Sequence, residues 1–206
     1  LCHLLGQEGG VRAEFTLYEW ALDRFYLVSG AGLESHDHDL LMKLAPTDGS
    51  VTLRPLTMEM GVLVVAGPRS RDLLKKLTRA SLANEDFGWL TGQPISIGAA
   101  SCHALRVNFV GELGWELHHP IAMQTYIFDK LMEAGAEFDI KPFGIRAMGA
   151  MALEKSYRAM QREMTIEYTA YESGLDRFIK PKKDFIGKEA LLSKKEEGLS
   201  AVFATL

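Results

Sequence analysis

At 206 residues, 47% of them hydrophobic and 24% charged, the chain can build one or two domains with real cores, which excludes intrinsic disorder. Twenty-seven acidic against 23 basic side chains leave a net charge of -4, the wrong balance for a nucleic-acid-seeking surface. No apolar run approaches the ~20 residues of a membrane span, and two cysteines, Cys2 and Cys102, are too few for a disulfide framework and point to a reducing compartment. Residues 11–20 alternate, with Val11, Ala13, Phe15 and Leu17 on one face and Arg12, Glu14, Thr16 and Tyr18 on the other. That pattern predicts a half-buried strand, and 25–29 a second one across an Asp23-Arg24 turn. Ser35 is expected to cap a helix running to about residue 45, with Asp37 and Asp39 at its positive end.

Residues 61–66 read as a buried strand stopped by Gly67-Pro68, followed by a helix over 69–78 that turns Leu73, Leu74 and Leu77 inward. Strands are expected at 95–97 and 102–110, and, after the tight turn Gly111-Glu-Leu-Gly114, at 115–119. A helix opened by Pro120, with Met123, Ile127 and Leu131 spaced four apart, should end at Gly135, with a short strand near Phe138. The order from residue 61 is that of a split-βαβ, ferredoxin-like unit, so the fold class is α+β. Residues 144–154, rich in Ala, Gly and Met, predict a helix packed closely on more than one side, and 184–197 a final amphipathic helix. Boundaries near 52 and 140 divide the chain into a discontinuous outer domain, 1–52 with 140–206, and an inserted one, 53–139. Position 1 is Leu, with no initiator Met, basic n-region or signal-type core, and 199–206 read as a strand without a turn, so both ends look cut and the sequence is expected to be a piece of a longer protein.

Few constellations stand out from ordinary structure. His36 and His38 lie two apart on a predicted helix and point apart, whereas helical metal ligands are spaced three or four, so no metal site is expected. His118 and His119 end a strand with side chains facing opposite ways, and an edge position is expected for them. Gly30-Ala-Gly32 is not a dinucleotide fingerprint, and there is neither a phosphate loop nor a nucleophile elbow. Lys180, Lys182, Lys183 and Lys188 are balanced by Asp176, Asp184 and Glu189 and read as a solvated face. Glu14 in mid-strand and Glu112 and Glu116 about a glycine turn, with Trp115 beside them, read as surface carboxylates. A carboxylate at such a turn is also able to accept two parallel N–H bonds from a flat heterocycle.

Seven stretches in order resemble the tetrahydrofolate-dependent aminomethyltransferase family, that of the glycine cleavage T-protein. They are Gly9-Gly-Val-Arg-Ala-Glu-Phe-Thr16, Phe25-Tyr-Leu-Val-Ser-Gly-Ala-Gly32, Gly61-Val-Leu-Val-Val-Ala-Gly-Pro68, Gly111-Glu-Leu-Gly-Trp-Glu-Leu117, Leu153-Glu-Lys-Ser-Tyr-Arg158, Glu172-Ser-Gly-Leu175 and Lys183-Asp-Phe-Ile-Gly-Lys188. Lys155 and Trp115 favour the branch formed by the C-terminal folate domains of sarcosine and dimethylglycine dehydrogenases. The resemblance implies a discontinuous folate-binding domain with an inserted ferredoxin-like domain, without the family's C-terminal β-barrel. It implies tetrahydrofolate as cofactor, with FAD only on an N-terminal flavin domain outside this chain. That flavin domain would oxidise an N-methyl amine to an iminium, and the folate domain would capture the one-carbon unit as 5,10-methylenetetrahydrofolate. The implied partners are folate, the iminium and the flavin domain, with no nucleic acid and no membrane, in the bacterial cytoplasm or mitochondrial matrix.

By the same resemblance Glu14 takes the place of the family's acidic residue, usually Asp, near the reacting folate nitrogens. Glu116 matches the glutamate that pairs with the pterin N–H edge, and Val28 a position offering main-chain groups to the pterin. Phe109-Val110 replaces a Tyr-Thr pair, so Phe109 keeps the aromatic face without the hydroxyl. Ala152 stands where many members have Arg and Met160 where an aromatic is usual, both changes bearing on contacts to the folate tail. These departures keep open a non-catalytic, folate-binding or regulatory module of the same family, alongside a stand-alone aminomethyltransferase or a folate-dependent demethylase. The iron–sulfur assembly relatives expect a Lys-Gly-Cys motif, and Glu154-Lys-Ser-Tyr157 has no Cys.

Overall fold

The computed structural model describes residues 1–205, which form two compact units: 1–53 with 158–205, and Arg54–Tyr157. Residues 140–157, expected in the outer domain, group with the second unit.

The first unit carries an antiparallel sheet in the order β1-β2-β3, made of β1 (Cys2–Leu5), β2 (Val11–Ala21) and β3 (Arg24–Val28). The predicted alternation of β2 holds as far as Phe15, with Val11, Ala13 and Phe15 buried and the residues between them half-buried, but Leu17, expected on the buried face, is exposed and Tyr18 half-buried. Strand β1 was not foreseen, because four residues carry too little periodicity; its pairing with β2 decides it. Asp23 turns the β2–β3 hairpin at φ 57°, a left-handed conformation that a short polar side chain tolerates. Helix α1 (Glu34–Leu44) follows a 3-10 turn, so Leu33 rather than Ser35 occupies its N-cap.

A core of Leu5, Val11, Met164, Ala170, Tyr171, Leu175 and Leu191 holds this unit together. Leu191 comes from α5 (Lys188–Glu197), which starts four residues later than expected because Gly187 adopts φ 78°. Any Cβ at Gly187 would lie 2.0 Å from the Gly6 carbonyl oxygen, so only glycine lets these backbones meet. The terminal strand expected at 199–206 is absent from the described residues. Phe203 instead donates a single backbone bond to Glu172 O.

The second unit is a four-stranded antiparallel sheet ordered β4-β7-β6-β5, from β4 (Met60–Ala66), β5 (Gly92–Ile97), β6 (Ala100–Leu105) and β7 (Gly114–Pro120). Helices α2 (Ser70–Lys75) and α3 (Gln124–Gly135) cover one face. There Leu73, Leu74, Ile127 and Leu131 meet Val65, Ile97, Ala104, Trp115 and Leu117. The strand expected near Phe138 is a 3-10 turn, Ala136–Phe138, so the last strand of the split-βαβ pattern is missing among the described residues. Asp139 turns left-handed there and Ile140 N–H reaches back to Gly135 O, which ties this segment to the helix end and not to a sheet edge. Helix α4 (Ile145–Glu154) also departs from expectation: only Ala152 is buried, and a Cβ at Gly149 would meet nothing within 4 Å. Its small residues therefore mark no close helix packing within this structure.

Candidate functional site

Each unit presents one of the carboxylates singled out in the sequence, and each carboxylate has a histidine partner. In the first unit Glu14 lies on β2 directly opposite His3 of β1, with His3 Nε2 3.1 Å from Glu14 Oε1. Ala13 and Phe15 point inward, so the pleat turns Glu14 to the other face of the sheet, where its side chain keeps 24% exposure. The His3 ring is nearly buried and sits edge-on to Phe178, centroids 5.2 Å apart, which holds it in place. Val28 ends β3 opposite Thr16, two residues along β2 from Glu14.

In the second unit Glu116 lies on β7 between Trp115 and Leu117. Those two belong to the helix-covered core, so Glu116 and His118 face the other side of the sheet. His118 Nε2 is 3.2 Å from Glu116 Oε2. A carboxylate only accepts, so the ring N–H is the donor. The register places Val64 and Leu105 beside Glu116, and Val62 and His103 beside His118. His118 and His119 are both fully buried, contrary to the edge position expected for them, because β7 is an internal strand paired on both sides. His119 faces the opposite way and its Nδ1 donates to Gly61 O at 2.7 Å. Burial, and to a lesser degree the nearby His118, pushes the pKa of both His103 and His119 down.

Phe109 falls in the loop after β6, which ends at Leu105 and not at the expected residue 110. Asn108 shapes that loop: its Oδ1 accepts from Val110 N–H and Gly111 N–H, and its Nδ2 donates to Glu112 O. The Phe109 ring lies 6.0 Å from that of Tyr157, and Lys155 Nζ reaches Glu112 Oε1 at 3.7 Å. Trp115 takes no part on this face. It is a core residue beside Phe87, with Arg71 and Arg106 about its ring.

The structure thus places Glu14 and Val28 on one sheet and Phe109 and Glu116 in the other unit. His3 and His118 were not among the residues singled out for a site. The signal for His118 was its position two residues from Glu116, legible only once β7 is known to be internal. Among the described residues no group of three or more His, Cys, Asp or Glu side chains is arranged to hold a metal ion, and no helix is long and apolar enough to cross a membrane. The Cys102 thiol is buried, which pushes its pKa up to about 11.

Comparison with known proteins matches residues 1–183 to the GCVT N-terminal domain. The chain belongs to that family. It is 39% identical over 202 residues to mitochondrial dimethylglycine dehydrogenase of Homo sapiens, covering 97% of this chain and 23% of that protein. Mitochondrial sarcosine dehydrogenase of Mus musculus is 31% identical over 212 residues, 95% of this chain and 23% of the relative. The chain therefore spans about a quarter of the length of these curated relatives. Among solved structures, the glycine cleavage system aminomethyltransferase T from Bartonella henselae matches with a TM-score of 0.78 at 22% identity, over 95% of this chain and 52% of that one. That likeness establishes the fold, a mixed α/β architecture with two sheets, and agrees with the resemblance read in the sequence.

Proposed function

We propose that this GCVT-family chain is the folate-binding part of a sarcosine or dimethylglycine dehydrogenase, where it captures the one-carbon unit of an oxidised N-methyl amine. The observation that carries this reading is the match to a dehydrogenase along 97% of the chain, with a histidine-held carboxylate at both positions the family resemblance marks. The oxidation itself would belong to a flavin-binding part of the longer protein. The mitochondrial relatives support the mitochondrial matrix as its compartment, with the bacterial cytoplasm as the alternative.

Tetrahydrofolate, when bound, supplies the secondary amine nitrogens that accept the methylene group. The acceptor set fits it: among the described residues the Glu116 carboxylate accepts one side-chain hydrogen bond, which leaves lone pairs on both carboxylate oxygens for a flat pair of N–H donors. Glu14 stands ready to balance the positive charge of the incoming iminium and to take the proton that the attacking amine releases, with its Oε1 steadied by His3. Phe109 offers an apolar face, and Val28 its main chain.

Titrating tetrahydrofolate calorimetrically into the full-length protein tests the reading, and absence of binding overturns it. Glu14→Gln is expected to lower formaldehyde capture by folate at least 100-fold while amine oxidation continues; equal loss of both activities would contradict the division of labour.

A second reading, a non-catalytic folate-binding or regulatory module, is favoured by one observation. Ala152 and Met160, at positions that bear on the folate tail, are both committed to packing, Ala152 buried in α4 and Met160 against the first unit's core. A protein that binds folate but passes no methylene group to it would establish that alternative.

A further inference from the structure

We propose that His118 is the positioning residue for Glu116, locking the carboxylate plane so that it selects ligands with two parallel N–H donors on one edge. The inference rests on the reading that Glu116 meets the pterin edge, and it names what makes that glutamate selective.

Glu116 and His118 sit two residues apart on the same face of an internal strand, so their Cα atoms are held at a fixed separation by the ladders to β4 and β6. The His118 ring is completely buried between its cross-strand neighbours Val62 and His103 and has little freedom to turn away. From that fixed point its Nε2–H reaches Glu116 Oε2 at 3.2 Å. A glutamate side chain otherwise has three torsions to order when a ligand arrives, and an anchor already in place removes much of that cost.

The anchor also divides the acceptor sites. His118 uses one lone pair of Oε2, which leaves Oε1 and the second lone pair of Oε2 for the ligand. Both remaining sites lie in the carboxylate plane that His118 fixes. A heterocycle offering a ring N–H beside an exocyclic amino group satisfies both oxygens. One lacking the amino group leaves an oriented acceptor without a partner, and a mobile carboxylate would tolerate that loss better than a locked one. His118 thus acts through Glu116 and touches no reacting atom.

The test uses the full-length protein, with calorimetric titration of tetrahydrofolate and of its 2-desamino analogue. The wild type is expected to bind tetrahydrofolate and to prefer it strongly, and Glu116→Gln to abolish that preference. His118→Ala should weaken tetrahydrofolate binding about tenfold and shrink the preference over the analogue. His118→Gln, which keeps an N–H donor, should restore most of both. Failure of the wild type to bind, or a Glu116→Gln variant indistinguishable from it, overturns the underlying reading and this inference together. Normal behaviour of Glu116→Gln beside unchanged affinity and preference in both His118 variants overturns the inference alone. Should His118→Ala not fold, the imidazole nitrogen resonances of His118 in wild type and Glu116→Gln decide: a shift in the Nε2 signal supports the pairing, and identical spectra overturn it.

Discussion

In the second unit, Arg54–Tyr157, the interior is a continuous apolar cluster from Val65 and Leu74 through Trp115 and Leu117 to Ile127 and Leu131. The first unit buries a carboxylate beside its apolar core. Glu172 is 5% exposed and accepts from Thr169 N–H at 2.8 Å, Thr169 Oγ1 at 2.9 Å, Ser200 N–H at 3.1 Å and the Ser200 hydroxyl. These bonds, with Ser200 foremost, hold its pKa down at about 2 against an ordinary 4.5, more than offsetting the upward push of burial. One unit is thus held chiefly by area removed from water, and its pH dependence lies in His103 and His119, whose lowered pKa values cost stability as pH falls below about 6.5. The other depends in part on a buried acceptor that keeps its value only while ionised.

The largest break in this contrast is expected from Trp115→Ala. It should destabilise the second unit by about 4 kcal/mol, read as lost amide protection in hydrogen exchange over 54–157, with no added acid sensitivity. Glu172→Leu should cost the first unit about 3 kcal/mol, because the Thr169 and Ser200 donors are left buried without their acceptor. Equal protection changes in both units in either variant would count against the separation. The smallest effect sharpens the sign. The folded-state pKa of Glu172 lies below its ordinary value, so its contribution is complete above about pH 4.5 and is lost as pH falls toward about 2. Denaturant midpoints of the first unit should fall over that window, and Glu172→Gln should flatten the dependence.

The same contrast explains what could be read from the chain. Strand β2 was legible because its pattern is local: Val11, Ala13 and Phe15 alternate with polar residues, and the burial follows that alternation. The turn Gly111-Glu-Leu-Gly114 marked the start of β7, and the spacing of Ile127 and Leu131 marked α3. The misses are places where distant partners decide. The Cys2–Leu5 strand exists through pairing with β2, and the segment around Phe138 is drawn into a turn by the end of α3. In α4 composition misled, since small residues permit close packing without requiring it.

At the candidate site, the sequence by itself supplied the carboxylates, the glycine turn beside Glu116 and the resemblance to the GCVT family. Only the tertiary structure decided that β7 lies inside its sheet between β4 and β6, which turns His118 from an expected edge residue into a buried anchor for Glu116. It likewise set His3 opposite Glu14. The physical reason is that alternation along a strand says which residues share a face, whereas strand order and register arise from hydrogen bonds between segments far apart in the chain.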